Sequence, residues 1–101
     1  MRRALARREP ANNLAWILAT AGDPALRDPA EAIRLAEGIA ARNAHEPGVL
    51  DTLAAAYAAA GRRGDALAAQ QRAVAAIGED DEKLRAELEE RLRRYESGSA
   101  P

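Results

Sequence analysis

His45 is the only histidine and cysteine is absent, so the chain has neither the thiolates nor the paired imidazoles that zinc sites and Ser-His chemistry require. No carboxylate pair, no nucleophile beside a base and no Gly-rich phosphate loop stands at a workable spacing, which argues against an enzyme. No metal or cofactor is expected. The acidic run Glu79, Asp80, Asp81, Glu82 lacks the Gly-centred spacing of a calcium loop and reads as the charge of a helix start. What remains is chemistry suited to recognition. Asn12, Trp16 and Thr20 recur every four residues, which puts them on one line of a helix, with Asn13 beside them. Asn amides pair with both N–H and C=O of a peptide backbone. Trp16 is either an aromatic anchor for a partner or a core residue packed on Leu5 or a preceding helix.

The basic residues do not add up to a nucleic-acid or membrane surface. Lys and Arg total 15 against 16 Asp and Glu, for a net charge of −1, whereas binding to phosphates needs a concentrated positive field. Arg62, Arg63 and Arg72 admit a helix-turn-helix reading of residues 50–74, but a solvated turn in a near-neutral chain explains them. Arg2, Arg3, Arg7 and Arg8 form one local cluster, read as a solvated helix flank rather than a phosphate contact. The pair Arg2-Arg3 is followed by no apolar run of secretory-signal length, and no stretch is long enough to span a membrane, so the cytoplasm is the expected location.

The elements that must position these residues are helices. Ala accounts for 27 of 101 residues, Phe is absent and only Trp16, Tyr57 and Tyr95 are aromatic, a helix-forming composition with a thin core. Pro10 opens a helix over 10–21, along which Leu14, Ile17, Leu18 and Ala21 fall at spacings of three and four before Gly22-Asp23-Pro24. Asp28-Pro29 is an N-cap and N1 pair for a helix over 29–43 with Ala32, Ile33, Leu35, Ala36 and Ile39. Pro47 opens a third, where Leu50, Leu53, Ala54 and Tyr57 share a face until Gly61. Ala66, Leu67, Gln70, Ala73, Val74 and Ile77 make a fourth over 64–77, closed by Gly78. A fifth over 81–96 carries one apolar stripe, Leu84, Leu88, Leu92 and Tyr95, with an acidic first turn and a basic last turn that complement the helix dipole. Residues 97–101 read as a disordered tail. The class is all-α, in antiparallel hairpins set by the short connections.

Two helix pairs resemble one another. With Pro47 as position 1 of a 34-residue frame, Leu50, Leu53, Ala54, Tyr57, Gly61, Ala66 and Ala73 fall at positions 4, 7, 8, 11, 15, 20 and 27. These are conserved-type positions of the tetratricopeptide repeat family, whose pattern this pair resembles; Gln70 and Gly78 depart from its aromatic at 24 and Pro at 32. A first pair begun at Arg8 puts Leu14, Ala15, Leu18 and Gly22 at 7, 8, 11 and 15, and five inserted residues then bring Ala32 to 20 and Glu46 to 34, in phase with Pro47. Ala11 at 4 and Ile39 at 27 depart. The spelling from NNLAWILAT to VLDTLAAAYAAAG, with LRAELEERLRRYESG at the end, is similar to the C-terminal repeats of larger bacterial members.

The resemblance implies a short α-solenoid: repeat one over 10–46, repeat two over 47–80 and a capping helix over 81–96. It implies a groove on the first helices of the two pairs, lined by Asn12, Asn13, Trp16 and Thr20, then Asp51, Thr52, Ala55 and Ala59, taking a protein or peptide segment. The Lys and Asn set with which some members clamp chaperone C-termini is absent apart from Asn13, so no chaperone-tail binding is expected. Residues 1–9 fall in the phase of the end of a preceding helix, which suggests a homo-oligomer closing that end, or a piece of a longer array. The alternative fold is an unrelated five-helix bundle.

Overall fold

The computed structural model describes residues 10–78 and 81–98, and among them there are five α-helices and no strand. They are α1 (Pro10–Thr20), α2 (Pro29–Arg42), α3 (Pro47–Ala59), α4 (Arg63–Ala75) and α5 (Glu82–Glu96), with a single 3-10 turn, Pro24–Leu26, between α1 and α2. Each lies within two residues of the span its punctuation predicts. Asp28 caps α2 by accepting from the Glu31 amide at 3.2 Å, and Pro29 and Pro47 sit in the first turns of α2 and α3, where a missing N–H costs nothing. Gly61, at φ +80°, ends α3 in the left-handed region, with the Arg62 amide returning to Tyr57 O at 2.9 Å. Gly78 does not play that part: α4 stops at Ala75, capped at Ala76, and Gly78 has no positive φ. Ser97 and Gly98, expected in the tail, instead close α5, with Gly98 at φ +87° and its amide on Tyr95 O. Leu5, the rest of residues 1–9, Glu79, Asp80 and residues 99–101 lie outside the described residues.

Each helix packs on the next in sequence, and α1 also packs on α3. Connections of four residues (43–46) and three (60–62) force the chain to reverse between helices that touch. The central element is α3, buried at every position from Gly48 to Ala56. An all-round apolar surface makes a helix interior, and the run VLDTLAAAYAAA has only Asp51 and Thr52 to interrupt it. Alanines supply ten of the eighteen buried apolar residues, so the helices approach closely but gain little area per residue. One cluster joins α1, α2, α3 and α4 around Ala15, Ala36, Leu53 and Ala66, and includes Tyr95. A second, Leu50, Ala73, Ile77, Leu84 and Leu88, fastens α5 to α3 and α4.

The orientation of α1 differs from the expectation. Its buried stripe is Asn12, Ala15 and Ala19, while Leu14 and Ile17 stand 48% and 51% exposed. Small side chains at 15 and 19 let α1 lie close against both α2 and α3, and that fit outweighs the larger apolar residues on the opposite side.

Candidate partner-binding site

Of the eight residues expected in a groove, four are interior. Asn12, Asp51, Thr52 and Ala55 are all 2% exposed or less: α1 packs directly on α3, and Asp51 is met by side chains of α4 and α5. Asn12 Nδ2 makes a long contact of 3.5 Å to Gly48 O, and its Oδ1 is buried without a partner. Thr52 donates back to Gly48 O at 3.0 Å within its own helix. Trp16, Thr20 and Ala59 are half-buried and Asn13 is exposed. Thr20 Oγ1 donates to Trp16 O at 2.8 Å, so its hydroxyl proton is committed to the helix.

Asp51 is the hub of a polar knot that joins three helices. Its Oδ1 accepts from Gln70 Nε2 of α4 at 3.1 Å and from Arg91 Nε of α5 at 3.0 Å. The same Gln70 nitrogen donates to Leu88 O at 3.0 Å, and the Arg91 guanidinium lies 5.0 Å from the centroid of the Trp16 ring. A buried carboxylate needs such company, and Arg91, 20% exposed, supplies the charge. Sequence reasoning missed this knot: it set Gln70 on the patterned face of the fourth helix and as a departure from the repeat, and Arg91 in the basic last turn of the fifth, without joining either to Asp51. A signal was present: Arg91 falls seven residues after Leu84, on the apolar stripe, and Gln70 falls between Ala66 and Ala73 on another. Tyr95 closes the knot's edge, its hydroxyl buried without a hydrogen-bond partner and its pKa pushed up by burial and then by the Asp51 charge. Tyr57 donates to Glu37 Oε2 at 2.6 Å; burial first, and this bond second, push its pKa up to about 12.

The open part of the α1–α3 face is a cleft of about 510 Å³, lined by Ala19, Thr20, Pro24, Arg27, Pro29, Ala58 and Ala59. Pro24 and Arg27 of the loop over residues 21–28 border it. Hydrogen bonds fix that loop, among them Asp28 N to Leu18 O at 2.9 Å, Leu26 N to Asp23 O at 2.9 Å and Ala25 N to the Asp23 carboxylate at 3.0 Å. The cleft therefore has a floor of small side chains, proline walls and one cation, Arg27. None of the lining side chains is a carboxylate, an imidazole or a thiol.

The other candidate groups are engaged within the chain. Arg63 donates to Tyr95 O at 2.7 Å and to Glu96 O, capping the last carbonyls of α5, while Arg62 pairs with Asp65 at 2.9 Å and lies over the Tyr57 ring. Arg72 reaches Ala44 O at 3.4 Å. Among the described residues no three His, Cys, Asp or Glu side chains gather as a metal site would require, and no helix is long and apolar enough to cross a membrane. No family model matches the chain, and no curated protein and no solved structure matches it.

Proposed function

We propose that the chain is a protein-interaction module of the tetratricopeptide-like kind, an α-solenoid of two helix pairs with α5 as its terminal helix, acting by binding and without catalysis. One observation carries the reading. Ala19 and Ala58 fall at one position of the 34-residue frame and Thr20 and Ala59 at the next, and all four line the same cleft. Equivalent residues of two repeats sharing one concave surface is what stacked repeats produce. The partner is a protein segment, taken with its backbone against the alanine floor and an acidic group at Arg27; nucleic acid and membrane have no part in the reading, and its setting is the cytoplasm.

The test is selection of a random peptide display library on the immobilised chain. Binders should weaken at least roughly tenfold on Ala59→Trp, which fills the cleft, and on Arg27→Glu, which reverses its charge. Failure to enrich any peptide, or binders indifferent to both variants, would refute the proposal.

A second reading, assembly of identical chains, is favoured by the exposed pair Leu14 and Ile17, one turn apart on α1. In that case the chain dimerises in sedimentation and Ile17→Glu returns it to a monomer.

A further inference from the structure

The cleft at Thr20 and Ala59 has a smaller counterpart at the next joint between helices. Ala58, Gly61, Arg63, Ala66, Tyr95 and Gly98 line a second hollow of about 240 Å³. Both hollows are assembled from the same parts. The first brings the end of α1 (Ala19, Thr20) and the start of α2 (Pro29) against the end of α3, beside Arg27. The second brings the end of α3 (Ala58) and the start of α4 (Arg63, Ala66) against the end of α5. Ala58 borders both, so the two adjoin there. The second has buried Ala66 and Tyr95 in its lining, and Gly61 and Gly98 leave it uncovered, since a Cβ added at either would meet only open space. Its volume falls below the roughly 300–1,000 Å³ of small-molecule sites, so it has room for a single side chain. Arg63 gives it a charge. Its Nε donates to Tyr95 O at 2.7 Å and its Nη2 to Glu96 O, which fixes the guanidinium while the residue stays exposed. These bonds use two of the five N–H donors of an arginine, and both acceptors are neutral carbonyls. Arg34, Arg62, Arg91, Arg93 and Arg94 each pair with a carboxylate; among the described residues Arg27 and Arg63 pair with none. Neither hollow has a carboxylate in its lining.

We propose that the two hollows are consecutive subsites for one extended acidic segment of a partner protein, with one carboxylate at Arg27, a second at Arg63, and a single large apolar side chain beside the second in the hollow against Tyr95. This rests on the interaction reading and adds the partner's chemistry and register. Packed helices such as α1 and α3 lie about 8–10 Å apart, which sets the step from one hollow to the next. A segment in the polyproline II form rises about 3.1 Å per residue and returns to the same face every third residue. Acidic residues about three apart therefore meet both arginines from one side. The fixed guanidinium of Arg63 loses little freedom on binding, so its share of the affinity exceeds that of a mobile surface arginine.

The experiment selects a random peptide display library on the whole chain and uses a synthetic peptide of the enriched sequence as probe. That sequence should carry two acidic residues about three apart, with a large apolar residue next to one of them. Titrated into the isotope-labelled chain, the peptide should move the amides of Gly61, Ala66 and Gly98 together with those of Thr20 and Ala59. Replacing the acid beside the apolar residue by its amide should weaken binding to the wild-type chain about tenfold, and binding to the Arg63→Gln chain less than about twofold. Should Arg63→Gln not fold, Gly98→Asn, which keeps a left-handed residue after α5, puts a side chain at the second hollow and should weaken the peptide carrying the apolar residue at least about fivefold, and its alanine version hardly. Enriched peptides that lack the acidic pair, that move Thr20 and Ala59 but neither Gly61 nor Gly98, or whose acid and amide forms differ equally on both chains, would overturn this proposal and leave the interaction module standing. A library that enriches no peptide would remove the module and this proposal with it.

Discussion

Asp51→Ala removes the hub of the knot while leaving α3 helical, since alanine is the best helix former. Asp51 is fully buried and accepts two hydrogen bonds on Oδ1, from Arg91 Nε at 3.0 Å and Gln70 Nε2 at 3.1 Å. Bonds to a charged group contribute about 1.5–3 kcal/mol each. Two facts lower the sum: Arg91 is 20% exposed, so water rehydrates part of its guanidinium, and Gln70 Nε2 keeps Leu88 O. The expected loss is about 3 kcal/mol, a substantial part of the ~5–15 kcal/mol that stabilises a domain of this size. With a urea m-value of about 1–1.5 kcal/mol/M, the midpoint followed by far-ultraviolet circular dichroism falls by roughly 2–3 M. Combining the substitution with Arg91→Ala closes a double-mutant cycle whose coupling should reach about 1.5 kcal/mol or more. A loss under about 1 kcal/mol, or a coupling near zero, would refute the claim that a buried ion pair fastens α5 to α3.

Tyr95→Phe removes a hydroxyl that is buried and unpartnered, so the melting temperature should hold or rise, equivalent to about 0–1 kcal/mol; a loss beyond about 1 kcal/mol would mean the hydroxyl is bonded. Both tyrosines are held protonated: in the unfolded chain they ionise near pH 10, in the folded chain Tyr57 does so at about 12 and Tyr95 higher. The folded state therefore keeps more protons above pH 10, and stability is full below that pH and declines as pH rises towards and through 12. The near-ultraviolet tyrosinate band should be absent at pH 10.5, and its appearance in the folded chain there would contradict the burial of both groups. Gly61→Ala should cost about 1–2 kcal/mol through its φ of +80° alone, since open space surrounds the added methyl, whereas Gly38→Ala within α2 should gain about 0.5–1 kcal/mol. Equal effects in thermal denaturation would show that φ is not the cause.

The helices were legible because their boundaries are written in single residues whose chemistry acts locally: Pro10, Asp28-Pro29, Pro47 and Gly61. The stripe of α5 was equally plain, since charge surrounds it. On α1 two stripes compete, Leu14–Ile17–Leu18–Ala21 and Asn12–Ala15–Ala19, and hydropathy ranks the first higher. The structure buries the second, because the distance between helix axes, which no periodicity encodes, rewards small side chains. The knot was hidden for a related reason. Asp51 meets Gln70 and Arg91 across 19 and 40 residues of chain, and each alone looks like an exception to a pattern, not a member of one. Asn12, Asp51, Thr52 and Ala55 were read as groove from repeat positions, but position fixes a face only when the neighbouring helices leave it open. In this chain α1 packs on α3, side chains of α4 and α5 meet Asp51, and the cleft lies further on, at Thr20 and Ala59.

The most direct test of the interaction module is a backbone amide titration of the isotope-labelled whole chain with a library-selected peptide, followed by nuclear magnetic resonance. Shifts concentrated at Ala19, Thr20, Arg27, Ala58 and Ala59, saturating with a single dissociation constant, are the predicted result. Shifts confined to the Leu14–Ile17 side of α1, or to the outer surface of α4, would contradict it.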